Sequence, residues 1–290
     1  MRIRASLVAS LLFLGLSGEA MAAERVVAVG GTVTEIAFAL GAGDQLVAID
    51  STSVYPAEAR RLPDVGYMRQ LSAEPILALA PTLVLAAADA GPPHALDQLR
   101  AAGVRVIDMP AEDSPAGVLA RIEAVGEALS REEEAERLAN DLSRDMAALA
   151  DLLPADAARP RVLFLLAISS GATLAAGRET SAASIIEMAG GTNAVDGFTK
   201  YKPLSPEAAI MALPDVILVT NRTFETLGGV EGIAGLPHLS GTPAGRAGRV
   251  IAFDGQLLLG FGPRTAEAMR QLMTELHPDL ADTIERSRTR

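Results

Sequence analysis

Residues 71–86 read LSAEPILALAPTLVLA, and residues 204–219 read LSPEAAIMALPDVILV. Both have Leu-Ser-x-Glu, a short apolar helix, a proline and then a strand, at a constant offset of 133 residues that links Leu71 to Leu204, Glu74 to Glu207 and Pro81 to Pro214. A tyrosine precedes each copy, Tyr67 and Tyr201, at spacings that differ by one residue. Taken singly, Leu-Ser-x-Glu is a helix N-cap with its helper acid, which would serve any α/β protein. A cap does not account for the matching proline and strand downstream. The pattern therefore points to two related lobes.

Upstream of the first copy, RVVAVGGTVTEIAFALGAGDQLVAID (25–50) reads as a strand, a Gly30-Gly31 turn, a helix, a Gly41/Gly43 stop and a second strand at 46–49. Thr32 with Glu35 three residues on has the form of a capping box for that helix. Further strands are expected at 82–86 and 105–109, separated by a helix in PPHALDQLRAAG that ends at Gly103. Short buried strands alternating with helices imply a mainly parallel sheet covered on both faces.

Residues 114–153 break this rhythm. Ser114-Pro115 opens one helix with proline at its first position, and Ser130 with Glu133 is expected to cap a second. In the second helix Ala135, Leu138, Leu142, Met146, Leu149 and Leu153 recur at steps of three and four, and Glu132 to Glu134 sit near its positive end. Some 22 residues at 1.5 Å each would run roughly 33 Å. Such a helix either joins the lobes as a stiff connector or packs as an ordinary surface helix. After it the α/β rhythm resumes, with strands at 161–166, 216–219 and 250–253 and a last helix near 264–276. The expected division is an export signal at 1–22, a first α/β lobe at 23–113, connecting helices at 114–155 and a second α/β lobe at 156–290, with the ligand cleft between lobes.

The first 24 residues place Arg2 and Arg4 before an apolar run from Leu7 to Leu16 and close on Ala20-Met21-Ala22, the form of a cleavable secretory signal. The apolar run is too short to span a bilayer, which takes about 20 residues. No cysteine is present, which excludes disulfides, thiolate metal sites and lipoprotein acylation, and suits export to a periplasm. A formal net charge of −11 argues against nucleic acid and anionic membranes as partners. No G-x-S-x-G, P-loop or H-E-x-x-H motif occurs, and Gly30-Gly31 is not a dinucleotide fingerprint. His94, His238 and His277 are far apart, which makes a multi-histidine metal site a poor reading and leaves them as surface or loop residues, with His94 near a possible cleft rim.

The signal, the duplicated lobes, the connecting helix and the paired Leu-Ser-x-Glu motifs resemble the helix-linked class of periplasmic substrate-binding proteins that serve ABC importers. Within that class, GGTVTEIAFALG (30–41), VGYMRQLSAEPILALAPTLVL (65–85), AGPPHALDQLRAAGV (90–104), the 193–220 segment and LLLGFGPR (257–264) are similar to the haem-binding branch. The resemblance implies a monomeric, non-enzymatic periplasmic protein that captures ferric haem b and passes it to an inner-membrane ABC permease and its ATPase. In that branch the tyrosine of a Gly-Tyr-x-Arg/Lys element is the axial iron ligand, and the basic residue supports its oxygen. Tyr67 and Arg69 match that element.

Elementary chemistry agrees with this reading. Tyrosinate is a known axial haem ligand, whereas a free phenol with a pKa of about 10 stays protonated at neutral pH. A guanidinium beside the oxygen, and the iron itself, favour the anion. In extended structure the i, i+2 spacing puts both side chains on one face. The competing readings are a loop tyrosine packed on the next helix, and Tyr55 as ligand.

Two propionates call for cations at the cleft edge. Arg222, beyond the strand ending at Thr220, leads, followed by Arg178, Lys200 and Lys202. Where related binders supply a second axial histidine, LLAISSGATLAAG (165–177) has Ser169 and Ser170. The resemblance also implies that Glu74 and Glu207, one per lobe, dock onto permease arginines. Two alternatives stay open: a carrier of vitamin B12 or a ferric siderophore, and an exported enzyme using the cleft.

Overall fold

The computed structural model describes residues 24–167 and 173–287. The expected signal at 1–22, Ser169 and Ser170 lie outside the described residues. The first sheet holds β1 (Val26–Val29), β2 (Leu46–Ile49), β3 (Leu83–Ala86) and β4 (Arg105–Asp108) in the order β2-β1-β3-β4, all parallel. Every residue of β1 and β3 is buried, and successive side chains enter different cores. Val26, Ala28, Leu83 and Leu85 pack with Val33 and Ile36 of α1 (Gly31–Ala39). Val27, Val29, Val84 and Ala86 face Ile76 of α2 (Ala73–Leu77) and Leu96 and Leu99 of α3 (Pro93–Ala101). The period-2 alternation of a strand thus requires helices on both faces.

The second sheet repeats this plan with additions. Its strands are β5 (Arg161–Ala167), β6 (Thr173–Ala176), β7 (Thr192–Asn193), β8 (Tyr201–Pro203), β9 (Val216–Thr220) and β10 (Val250–Phe253), in the order β10-β9-β5-β6-β8, with β7 paired to β5. Strands β5, β9 and β10 run parallel, whereas β6 pairs antiparallel with both β5 and β8. The sequence reading does not anticipate β6 to β8. It also misses the terminal helix Ala281–Arg286.

The repeat extends to backbone conformation. Helices Ala73–Leu77 and Pro206–Met211 lead into β3 and β9, each of which lies parallel beside β1 or β5. Between helix and strand, Ala80 and Leu213 adopt left-handed φ values of 46° and 43°. These two positions are again 133 apart (213 − 80). Non-glycine residues rarely accept this region. Only the second copy uses its serine as a side-chain cap, with Ser205 accepting from the Ala208 amide at 3.1 Å.

Between the sheets run α4 (Pro115–Ala128) and α5 (Glu132–Ala150). Ser114 caps α4 as expected, accepting from the Gly117 amide at 3.0 Å with Pro115 behind it. Ser130 does not cap α5: it has a φ of 54°, and Arg131 occupies the cap position without a side-chain bond. The 19 residues of α5 span about 28 Å, and Ala135, Leu142, Met146 and Leu149 are buried as the spacing predicts, with Ala139 added. Leu138 and Leu153 are only partly buried. The two connecting helices pack closely on each other. Helix α4 packs on α1, α5 packs on helix Thr265–Leu276, and one core runs continuously through both helices into both sheets.

Candidate functional site

The C-terminal ends of the two sheets face each other. Gly31, just past β1, accepts through its carbonyl from Gln256 Nε2 just past β10, at 3.1 Å. A side chain at Gly31 would strike Thr52 O at 2.7 Å and Gln256 Nε2 at 2.9 Å, so glycine is what lets the lobes approach here. Thr32 and Glu35, which read as a capping box, instead reach across the gap. Thr32 Oγ1 donates to Gly260 O at 2.6 Å, and Arg264 donates to both Glu35 carboxylate oxygens at 2.9 and 2.7 Å. The Arg264 guanidinium lies 3.6 Å from the Tyr55 ring centroid. Helix α1 starts at Gly31 because Gly30, with a φ of 110°, turns the chain there. The expected cap is thus an interlobe junction.

Tyr67 stands on two loops at the end of the first sheet. Gly66 turns with a φ of 96°, and its amide donates to Asp64 Oδ1 at 2.7 Å. Its carbonyl accepts from the Ser51 amide at 3.0 Å. Tyr67 is extended, but Met68–Gln70 is a 3₁₀ turn, so Arg69 does not follow in a strand as the i, i+2 argument supposed. Met68 is buried in the core and anchors the turn. The neighbouring loop after β3 is stitched on: the Gly91 amide donates to Met68 O and the Leu71 amide to Gly91 O, each at 2.8 Å.

The two functional candidates meet nevertheless. Arg69 Nη1 donates to the Tyr67 phenol oxygen at 2.7 Å, and Arg69 Nη2 donates to Asp89 Oδ2. Partial burial disfavours the Arg69 charge, but the Tyr67 bond and Asp89 outweigh it and hold the group above its ordinary value. Tyr67 is 40% exposed as a residue. A phenol oxygen beside a permanent cation fits a hard, oxygen-seeking metal centre. Asp89 carries no motif and escapes sequence reading.

Tyr201, the partner of Tyr67 in the repeat, is partly buried instead. It packs edge-on against Phe164 with centroids 6.2 Å apart and lies 3.3 Å from Ser181 Oγ, and burial raises its pKa. Asp113, at the mouth between lobes, is pushed up by burial against the opposing pull of Arg121, and feels both Asp89 and Lys200. Lys200 of the second lobe therefore lies within range of the first lobe's acids. Its Nζ donates to Glu179 O at 3.1 Å, while Lys202 lies over the Phe198 ring at 5.7 Å. Arg222 is exposed in the first turn after β9, and Arg178 is exposed beside the 198–200 loop. Among the described residues neither guanidinium has a hydrogen-bond or ion-pair partner, and neither contacts Tyr67.

Glu74 and Glu207 are exposed in the first turns of the two equivalent helices. His94 is exposed at the start of α3, whereas His277 is only 5% exposed, which corrects its reading as a surface or loop residue. Two hollows of ≈ 630 Å³ lie on the second lobe, one bordered by Pro154, Arg249 and His277, the other by Phe253 and Arg270. Neither includes Tyr67, Arg69 or Asp89. No group of three or more His, Cys, Asp or Glu among the described residues is arranged to hold a metal ion.

Two α/β lobes bound through a helical connector, with their sheet ends facing each other, define the helix-linked substrate-binding class. Residues 26–257 match the periplasmic binding protein family model, and the chain belongs to that family. The apo structure of the periplasmic heme-binding protein RhuT from Roseiflexus sp. RS-1 is 43% identical with a TM-score of 0.84, covering 89% of this chain and 99% of that one. The periplasmic heme-binding protein HutB of Vibrio cholerae is 37% identical with a TM-score of 0.80, covering 89% and 100%. Among curated relatives, the vitamin B12-binding protein of Yersinia pestis (strain Pestoides F) is 31% identical over 233 residues, covering 76% of each chain. Among the described residues no helix is long and apolar enough to cross a membrane.

Proposed function

We propose that this protein is an exported carrier that captures ferric haem between its lobes, 23–113 and 156–290, and delivers it to an ABC importer. The observation that carries the reading is the exposed Tyr67 side chain with Arg69 donating to its oxygen at 2.7 Å. Tyr67 supplies the axial oxygen, and Arg69 stabilises its anionic form. Arg222 and Arg178, cations without partners among the described residues, are assigned to the propionates, with Lys200 and Lys202 behind them. Similarity to RhuT and HutB supports haem over other macrocycles. Glu74 and Glu207 are assigned to permease docking, since equivalent acids on two related lobes suit a two-fold partner.

Haemin titration of the mature protein tests the reading. The wild type should bind haemin with a tyrosinate-to-iron charge-transfer band, and Tyr67→Phe should lose the band and at least about tenfold in affinity. The relationship to vitamin B12-binding proteins supplies the rival. Retention of cobalamin, with no haemin binding, would replace haem by that ligand.

A further inference from the structure

Arg69 is a shared donor: one end of its guanidinium meets Tyr67, and the other meets a carboxylate from a different loop. We propose that Asp89 is a positioning residue for ligand capture, fixing Arg69 against the Tyr67 oxygen; the assignment rests on the haem reading above.

Stability does not explain the Asp89 pair. Both side chains are 53% exposed, and exposed ion pairs contribute little to folding. Ligand electrostatics do not explain it either, because a carboxylate beside a site for an anionic cargo repels that cargo. Geometry does. Arg69 has a long side chain, half in water, and without a second anchor its fork would sample solvent or pair with a propionate. The fork geometry of guanidinium lets Asp89 hold one amino group while the other stays on Tyr67. Asp89 is itself fixed relative to Tyr67, because Gly91 bonds both Met68 and Leu71 through the backbone, and Ala90 closes a turn on Ala87. Ligand, donor and anchor therefore form one hydrogen-bonded unit.

Charge and geometry predict opposite signs, which makes the assignment testable. If Asp89 only contributes charge, Asp89→Asn should bind haemin more tightly. If it positions Arg69, Asp89→Asn should release haemin to excess apomyoglobin about tenfold faster and weaken the phenolate-to-iron charge-transfer band. Asp89→Glu should restore both in part, and the urea midpoint should not move. In an Arg69→Ala background the same Asn substitution should change release by less than about twofold. Equal or tighter haemin binding in Asp89→Asn, or an equal effect without Arg69, overturns the proposal. Relaxation of the Arg69 side-chain N–H in the ligand-free protein separates the two levels: it should loosen in Asp89→Asn even if haemin proves not to be the cargo. An unchanged order there also overturns the proposal.

Discussion

Tyr67 and Arg69 show how a correct pairing can arise from a different local structure. The extended spacing argument puts both side chains on one face, whereas a 3₁₀ turn begins at Met68 and the pair meets through the reach of the arginine. The turn depends on Gly66, whose positive φ strains any residue with a Cβ although space is open there. Gly66→Ala should lower stability by about 1 kcal/mol in urea unfolding and weaken haemin binding by displacing Tyr67. Asp113 makes a pH prediction. Its folded pKa is raised, by burial first, so the stability it contributes is full below about pH 3.8 and is lost as pH rises through the folded value. Asp113→Asn removes that slope while Arg121 keeps its bonds to Glu112 O and Gly260 O. Urea midpoints between pH 3 and 6 should therefore fall less steeply with pH in the variant than in the wild type, about which a parallel pair of curves would say the opposite.

At the scale of elements, the lobes are joined twice. The α4–α5 pair forms one junction, and the contacts of α1 with residues 256–264 form the other. Glu35 is 5% exposed and takes both Arg264 bonds, so Glu35→Ala leaves a partly buried guanidinium without its anion. The expected cost is about 2–3 kcal/mol, and adding Arg264→Leu should recover part of it in a double-mutant cycle. Additive losses in urea unfolding would show that the pair is not coupled. The same residues show why caps are poor guides. Thr-x-x-Glu has the composition of a capping box, but the hydroxyl and carboxylate go to whichever donors and acceptors tertiary packing presents.

For the whole molecule, the repeat provides two similar helix starts, but of its two tyrosines only Tyr67 is exposed. Each helix start has an exposed acid beside exposed apolar surface, Leu77 near Glu74 and Ile210, Met211 and Leu213 near Glu207. Combined Glu74→Lys and Glu207→Lys should leave haemin affinity unchanged and reduce stimulation of a reconstituted importer's ATPase by more than about tenfold, since like charges would then face the permease. Unreduced stimulation in the double variant would remove these acids from docking.

The sequence by itself determined the α/β class, the two-lobe repeat and most of the buried stripe of α5, because each is written in local periodicity or fixed offset, and it singled out Tyr67 and Arg69 through the Gly-Tyr-x-Arg resemblance, not through their local geometry. Offset, proline and strand in the 71–86 and 204–219 copies even carry the matching left-handed residues Ala80 and Leu213. Only the tertiary structure decided that Tyr67 faces out while Tyr201 packs on Phe164, that Thr32 and Glu35 bridge the lobes, and that Asp89 anchors Arg69. Those outcomes join residues 20 to 229 positions apart. A hydrogen bond over such a separation leaves no period in the chain; it exists only once the sheets have brought its two ends together.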